Sequence, residues 1–189
     1  MPRAVFLDRD GVLIEDKHYL RHPDQVALLP GVPAGLERLL QAGFLPVVVS
    51  NQSGVGRGYF TEAEVDAVHA RLQALLAARG IPLAHFYYCP HAPAKTPDEP
   101  GCACRKPAPG LILAAVSELG ICLSDSYMIG DKRSDVGLGR AVGIPAILVT
   151  TGHGATELQR PGPTPDHVAA DLDAAARWIV AREKARIRS

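Results

Sequence analysis

An α/β fold is predicted, a three-layer αβα sandwich with helices on both faces of a parallel sheet. Three observations predict it. Short strand-like runs recur at residues 4–7, 44–50, 84–88, 127–129 and 146–149, and near-continuous apolar runs are what strands buried on both faces look like. Helical patterns separate these runs, the alternation that builds a parallel sheet from βαβ units. Polar residues able to do chemistry then appear at the C-terminal ends of several runs, where open α/β sheets bind their ligands. The expected architecture is therefore Rossmann-like.

Taken in order, residues 4–7 form the first strand and end at Asp8-Arg9-Asp10-Gly11. Residues i and i+2 of an extended chain point the same way, so Asp8 and Asp10 are expected to face one substrate while Arg9 turns aside. Gly11 permits a sharp bend. Residues 33–42 read as a helix that Gly43 stops. Residues 44–50 form the second strand, ending at Ser50-Asn51-Gln52-Ser53-Gly54. Thr61 is a helix N-cap, with Glu64 completing a capping box, and Leu72, Leu75 and Leu76 continue the apolar face. Residues 84–88 are a third strand and residues 108–119 a helix, preceded by Cys104-Arg105-Lys106-Pro107. Residues 127–129 run into Gly130-Asp131-Lys132-Arg133-Ser134-Asp135, and residues 146–149 make the last strand. Residues 152–165 read as a Gly/Pro-rich loop. Residues 171–186 are helical, with Trp178 packing on the sheet and Lys184, Arg186 and Arg188 at a solvated basic end.

The carboxylates carry the chemistry. An Asp is ionised at neutral pH, its unperturbed pKa being about 3.9. It can attack phosphorus to form an aspartyl-phosphate, and a second carboxylate can give a proton to the departing oxygen and later take one from water. Capping of a turn is the bland alternative for Asp8 and Asp10. Two like unit charges about 4 Å apart repel by roughly 4 kcal/mol at an effective dielectric near 20, so such a site calls for a divalent cation and a lysine. Asp131 is a hard oxygen ligand suited to Mg²⁺. Lys106 can neutralise both Asp8 and a phosphate, Ser50 can hold phosphate oxygens, and Asp135 can orient Lys106 or a metal-bound water.

The set Asp8-x-Asp10-Gly11, Ser50-Asn51-Gln52, Lys106-Pro107 and Gly130-Asp131 followed by Asp135 resembles the motifs of the haloacid-dehalogenase-like phosphohydrolase superfamily. The resemblance implies that Asp8 is the nucleophile and Asp10 the general acid/base. It implies that Ser50 and Lys106 bind the phosphoryl group, and that Mg²⁺ sits on the Asp8 carboxylate, the Asp10 carbonyl and Asp131. No long insertion separates the first two strands, so a large cap domain is not expected. A catalytically silent, zinc-containing interaction protein of the same fold is the rival reading, and Asp10 argues against it.

Four cysteines are present. Cys89 and His91 pair with Cys102 and Cys104 across a Pro-rich loop that includes Pro90, Pro93, Pro97 and Pro100. Three thiolates and an imidazole make a closed set suited to structural Zn²⁺; a disulfide or free buried thiols are the alternatives. The loop, residues 89–106, is expected near the active site, where zinc would position Arg105 and Lys106. Cys122 reads as a small core residue. His69 and His153 are placed at the surface by default.

The strings around this loop resemble two branches of the superfamily, acting on a sugar bisphosphate or on a phosphorylated amino alcohol. Residues 51–62 and 126–132 favour the first. A second phosphate needs cations, for which Arg57, Arg105 and Lys132 are available, Arg105 taking a catalytic part through its planar fork. The resemblance carries further substrate contacts onto Asp16, Lys17, His18, Tyr19 and Ser53, beside Asn51 and Gln52. The bland reading of Lys17 and His18 is an exposed polar loop.

A chain of 189 residues with 47% hydrophobic content fits one domain spanning residues 1–189. The net charge of +0 gives no general attraction to nucleic acid or membranes. With no signal-peptide pattern and no apolar run long enough to span a bilayer, a cytoplasmic location is expected, and a monomer.

Overall fold

The computed structural model describes residues 1–96 and 101–188, so Pro97 and Pro100 of the cysteine-bearing loop lie outside the described residues. Six strands, β1 (Arg3–Leu7), β2 (Phe44–Asn51), β3 (His85–Cys89), β4 (Tyr127–Gly130), β5 (Ala146–Val149) and β6 (His167–Ala169), form one sheet in the order β3-β2-β1-β4-β5-β6. All pairings are parallel. The chain winds outward from β1 to β3, then returns to β4 on the other side of β1. The direction reverses between β1 and β4, and a crevice at such a switch point is where these sheets take ligands.

The strands alternate cleanly between the two faces. Val5, Leu7, Val48, Ile129 and Ile147 pack with α1 (Val32–Gln41), α3 (Glu62–Ala77) and α7 (Leu172–Arg188), through residues such as Leu36, Leu72 and Ile179. Ala4, Phe6, Val47, Met128 and Leu148 pack with α4 (Gly110–Leu119) and α5 (Arg133–Ala141) through Ile112 and Leu138. A fully buried side chain of this size contributes roughly 1.5–3 kcal/mol, so both layers are firmly held to the sheet. The capping box of α3 forms as its sequence requires, Glu64 N–H donating to Thr61 Oγ1 and Thr61 N–H to Glu64 Oε2. No helix is long and apolar enough to cross a membrane among the described residues.

Several details depart from expectation. The helix expected from residue 108 starts at Gly110, because Pro109 disfavours the helical region for the residue before it. Two short helices, α2 (Ser53–Gly56) and α6 (Gly154–Glu157), interrupt segments read as loop. β6 is an edge strand that the sequence reading missed; its three residues are too few to show a period. Cys122 is half-buried, near Ser124 Oγ at 3.2 Å and Asp125 Oδ2 at 3.7 Å. A 3₁₀ turn at Leu123–Asp125 lifts it from the core. Trp178 does join α7 to the sheet, stacking on His167 of β6 at 4.6 Å. The segment after β1 is packed flap rather than loose loop: Val12, Leu13, Ile14, Leu20 and Val26 are buried, and Ile14 bridges Asp10 and Leu28.

Candidate active site

Asp8 leaves the end of β1 with its backbone N–H on Ile129 O of β4, which places it at the switch point. Its Oδ1 accepts from Arg9 N–H at 2.7 Å and lies 2.9 Å from Lys106 Nζ. Lys106 is 4% exposed; its ammonium also meets Asp135 Oδ1 at 2.6 Å and donates to Val49 O at 2.9 Å. The backbone of residue 106 is clamped in both directions by the Asn51 amide, at 3.0 and 3.2 Å. The end of β2 thus fixes where the lysine stands. Burial would raise the Asp8 carboxyl, but the charges of Lys106 and Lys132 override it and hold it below the usual range. Burial would lower Lys106, and Asp135 and Asp8 instead push it up. Both act as charged groups.

Asp131, at the end of β4, is fully buried. Its Oδ2 accepts from His153 N–H at 2.8 Å, while Oδ1 has no hydrogen-bond donor. Gly11 and Gly152 make room for it: a Cβ on either would meet Oδ2 at 2.2 and 2.3 Å. Both glycines have positive φ, +82° and +55°, so each serves the backbone as well as the space. Burial, then the charge of Asp8, pushes Asp131 up to about 7. Carboxylate oxygens of Asp8, Asp131 and Asp135 lie within 4.8 Å of one another. An all-oxygen set with one uncommitted buried oxygen fits a hard divalent cation.

Asp10 and Arg9 behave differently from expectation. Asp10 does reach the crevice, but Arg9 does not turn aside. It is buried, and its Nη2 and Nε grip the Asp10 carboxylate at 2.9–3.2 Å. Gln52 completes the cluster: Nε2 donates to Asp10 Oδ2 and Ser50 Oγ, and Oε1 accepts from Arg9 Nη2. His69 is also buried, with Nε2 3.3 Å from Arg9 Nη1, so its surface placement was wrong. The apolar side of α3 carries it inward, a signal that its helix position could have given. His153 lines the crevice and meets Asp16 Oδ2 at 3.0 Å.

The crevice is an open cavity of about 530 Å³. Of the residues expected there, Asp10, Asp16, His18, Tyr19, Asn51, Gln52, Ser53 and Lys132 line it. Lys132 Nζ is 3.3 Å from Asp16 and 3.8 Å from Asp131. His18 and Tyr19 both have left-handed φ, 46° and 56°, a costly backbone for non-glycine residues. Ser50 is buried. Lys17, Arg57 and Arg105 are not part of the wall. Lys17 donates to Gln25 O, Arg57 is exposed, and Arg105 Nη1 donates to His91 O at 3.2 Å, turning back toward its own loop.

That loop gathers Cys89, at the end of β3, with His91, Cys102 and Cys104, ligand atoms all within 4.8 Å. Cys89 and Cys102 sulfurs are 3.8 Å apart, and all four cysteines are free. Cys102 and Cys104 sulfurs are 2.9 Å apart; three thiolates and one imidazole are donor types that suit a structural zinc site. Gly56 N–H on Pro90 O and Gly110 N–H on Ala103 O tie the loop to α2 and α4.

A sheet with an aspartate on each side of its switch point, and a lysine locked to one of them, has the layout that suits an aspartate-based hydrolase. A family model described as HAD-hydrolase-like matches residues 103–175. A D-glycero-beta-D-manno-heptose-1,7-bisphosphate 7-phosphatase of Pseudomonas putida is 38% identical over 179 residues, 94% of this chain and 99% of the relative. The D-glycero-D-manno-heptose-1,7-bisphosphate 7-phosphatase of Thermosynechococcus vestitus is 42% identical over 95% of this chain and 96% of its own. A crystal structure of D,D-heptose 1,7-bisphosphate phosphatase from B. bronchiseptica, complexed with magnesium and phosphate, superposes with a TM-score of 0.84 at 34% identity, covering 95% of this chain and 99% of that one. The chain belongs to the haloacid-dehalogenase-like superfamily and, within it, to the family of phosphatases named for this heptose bisphosphate.

Proposed function

We propose that the protein hydrolyses the 7-phosphate of D-glycero-D-manno-heptose 1,7-bisphosphate, a step toward nucleotide-activated heptose for surface polysaccharide. The observation that carries the mechanism is the ionised Asp8, held 2.9 Å from Lys106 beside the cavity that Asp10 lines. Asp8 Oδ attacks phosphorus and an aspartyl-phosphate forms as the bond to the sugar 7-oxygen breaks. Asp10 gives that oxygen its proton, then takes one from the water that hydrolyses the intermediate. Lys106 and Ser50 hold phosphoryl oxygens. Asp8, the Asp10 carbonyl and Asp131 would hold Mg²⁺, which would supply the positive charge that a phosphate needs beside a carboxylate, and Asp135 holds Lys106 in place. Lys132, in the cavity wall beside Asp16, pairs with the second phosphate, and Asp16, His18, Tyr19, Asn51 and Ser53 contact the sugar. Lys17, Arg57 and Arg105 are left out because the cavity wall does not include them.

A side-by-side assay tests the substrate. Heptose bisphosphate should exceed histidinol phosphate in kcat/KM by 100-fold or more, about 3 kcal/mol of differential transition-state binding. Preference for histidinol phosphate would overturn the substrate while sparing the mechanism.

Zinc on Cys89, His91, Cys102 and Cys104 is proposed to fold the loop and so to seat Lys106. Chelation should expose new tryptic cleavage after Lys95 or Arg105. A digestion pattern unchanged by verified zinc removal would refute it.

A further inference from the structure

Arg9 places a full positive charge against the crevice wall, 1% exposed. Three of its side-chain hydrogen bonds go to Asp10. Nε donates to Oδ1 at 3.2 Å, and Nη2 to Oδ1 at 3.1 Å and Oδ2 at 2.9 Å. Such a fork fixes the plane of a carboxylate as well as its place. Nη2 also donates to Gln52 Oε1, whose Nε2 returns to Asp10 Oδ2. The far side of the guanidinium, Nη1, faces His69 Nε2 at 3.3 Å.

His69 comes from α3 and is itself buried, stacked on Phe86 at 4.5 Å with Tyr88 edge-on at 5.6 Å. Only a neutral imidazole with a free lone pair on Nε2 can accept from Arg9. Burial, then the charge of Arg9, pushes this imidazole down to about 3, which keeps it neutral. His69 thus offers the guanidinium a partner on the side opposite Asp10.

We propose that His69 and Arg9 are positioning residues, which together hold the Asp10 carboxylate in the orientation from which it protonates the leaving oxygen. The proposal rests on Asp10 being the general acid. His69 fixes Arg9, Arg9 fixes Asp10, and neither gives up a proton. A residue that only filled space would affect all substrates alike. One that aims the acid affects those whose leaving group needs a proton. An alkoxide leaving a sugar needs it, whereas p-nitrophenolate departs without.

The test is the ratio of kcat/KM on heptose bisphosphate to kcat/KM on p-nitrophenyl phosphate, which does not depend on the folded fraction of a preparation. Asp10→Asn should lower that ratio on the order of 100-fold, the lower end of the usual contribution of a general acid. His69→Leu and Arg9→Lys should each lower it about 10-fold, since misplaced acids lose part of their contribution. His69→Gln, whose amide oxygen can accept from Arg9, should stay within about threefold of the parent. Equal loss on both esters in Asp10→Asn overturns the acid role and this proposal with it. A selective Asp10→Asn beside an unselective His69→Leu and Arg9→Lys overturns this proposal alone.

Discussion

Asp8→Asn is expected to abolish turnover, with kcat on heptose bisphosphate falling by at least about 10⁴-fold, as when other enzymes lose their nucleophile. The substitution keeps shape and a carbonyl oxygen. That oxygen can still accept from Arg9 N–H at 2.7 Å and from Lys106 at 2.9 Å, so the loss is chemical rather than structural. An amide has no anionic oxygen to form the bond to phosphorus. Acid-quenched turnover with labelled phosphate should trap a phosphoryl-enzyme in the parent and none in the variant. Release of phosphate at the parental rate would remove the basis of the mechanism.

Lys106→Met is expected to cost about 3–5 kcal/mol of stability, besides most of the activity. Removing one partner from a buried ion pair leaves its counter-charge uncompensated. Here two counter-charges are left, Asp8 at 2.9 Å and Asp135 at 2.6 Å, both at most 5% exposed at the side chain. The pH dependence has a definite sign. Burial alone would raise Asp8, but Lys106 and then Lys132 hold its folded carboxyl below its unfolded value. That contribution is complete above about pH 4, the unfolded value, and disappears as pH falls through the folded one. Lys106→Met should shrink this acid limb, leaving what Lys132 contributes. Urea unfolding from pH 3 to 7 would show it. The double variant with Asp135→Asn should recover part of the stability and none of the activity. A single variant as stable as the parent would mean that the lysine carries no structural burden.

Much of the fold was legible because period and burial agree. Residues 4–7 and 146–149 are apolar throughout, and runs this short with β-branched residues suit a strand covered on both faces. Asp8, Lys106 and Asp131 were legible because each follows a strand or precedes a helix that a local reading can place. What the sequence hid depends on distant partners. Alternation turned Arg9 away from Asp10, but alternation holds only while the chain stays extended. Gly11, at φ +82°, ends the extension, and a long flexible side chain can then fold back on its neighbour. His69 was hidden because a polar residue on a helix is exposed by default. Its partner lies 60 residues away in sequence. Arg105 stands beside Lys106 in the chain, but its guanidinium is tied to the His91 carbonyl, which no spacing rule could show. β6 was missed because three residues set no pattern, and its pairing with β5 alone defines it.

The Asn51 clamp grips the main chain of residue 106 and not its ammonium group. Place and charge are therefore set by separate atoms at that position. A descendant could exchange the lysine, forfeit turnover and still keep the cysteine-bearing segment anchored against the sheet. Such an exchange would keep the main-chain anchor and still carry the cost of two unmatched buried carboxylates.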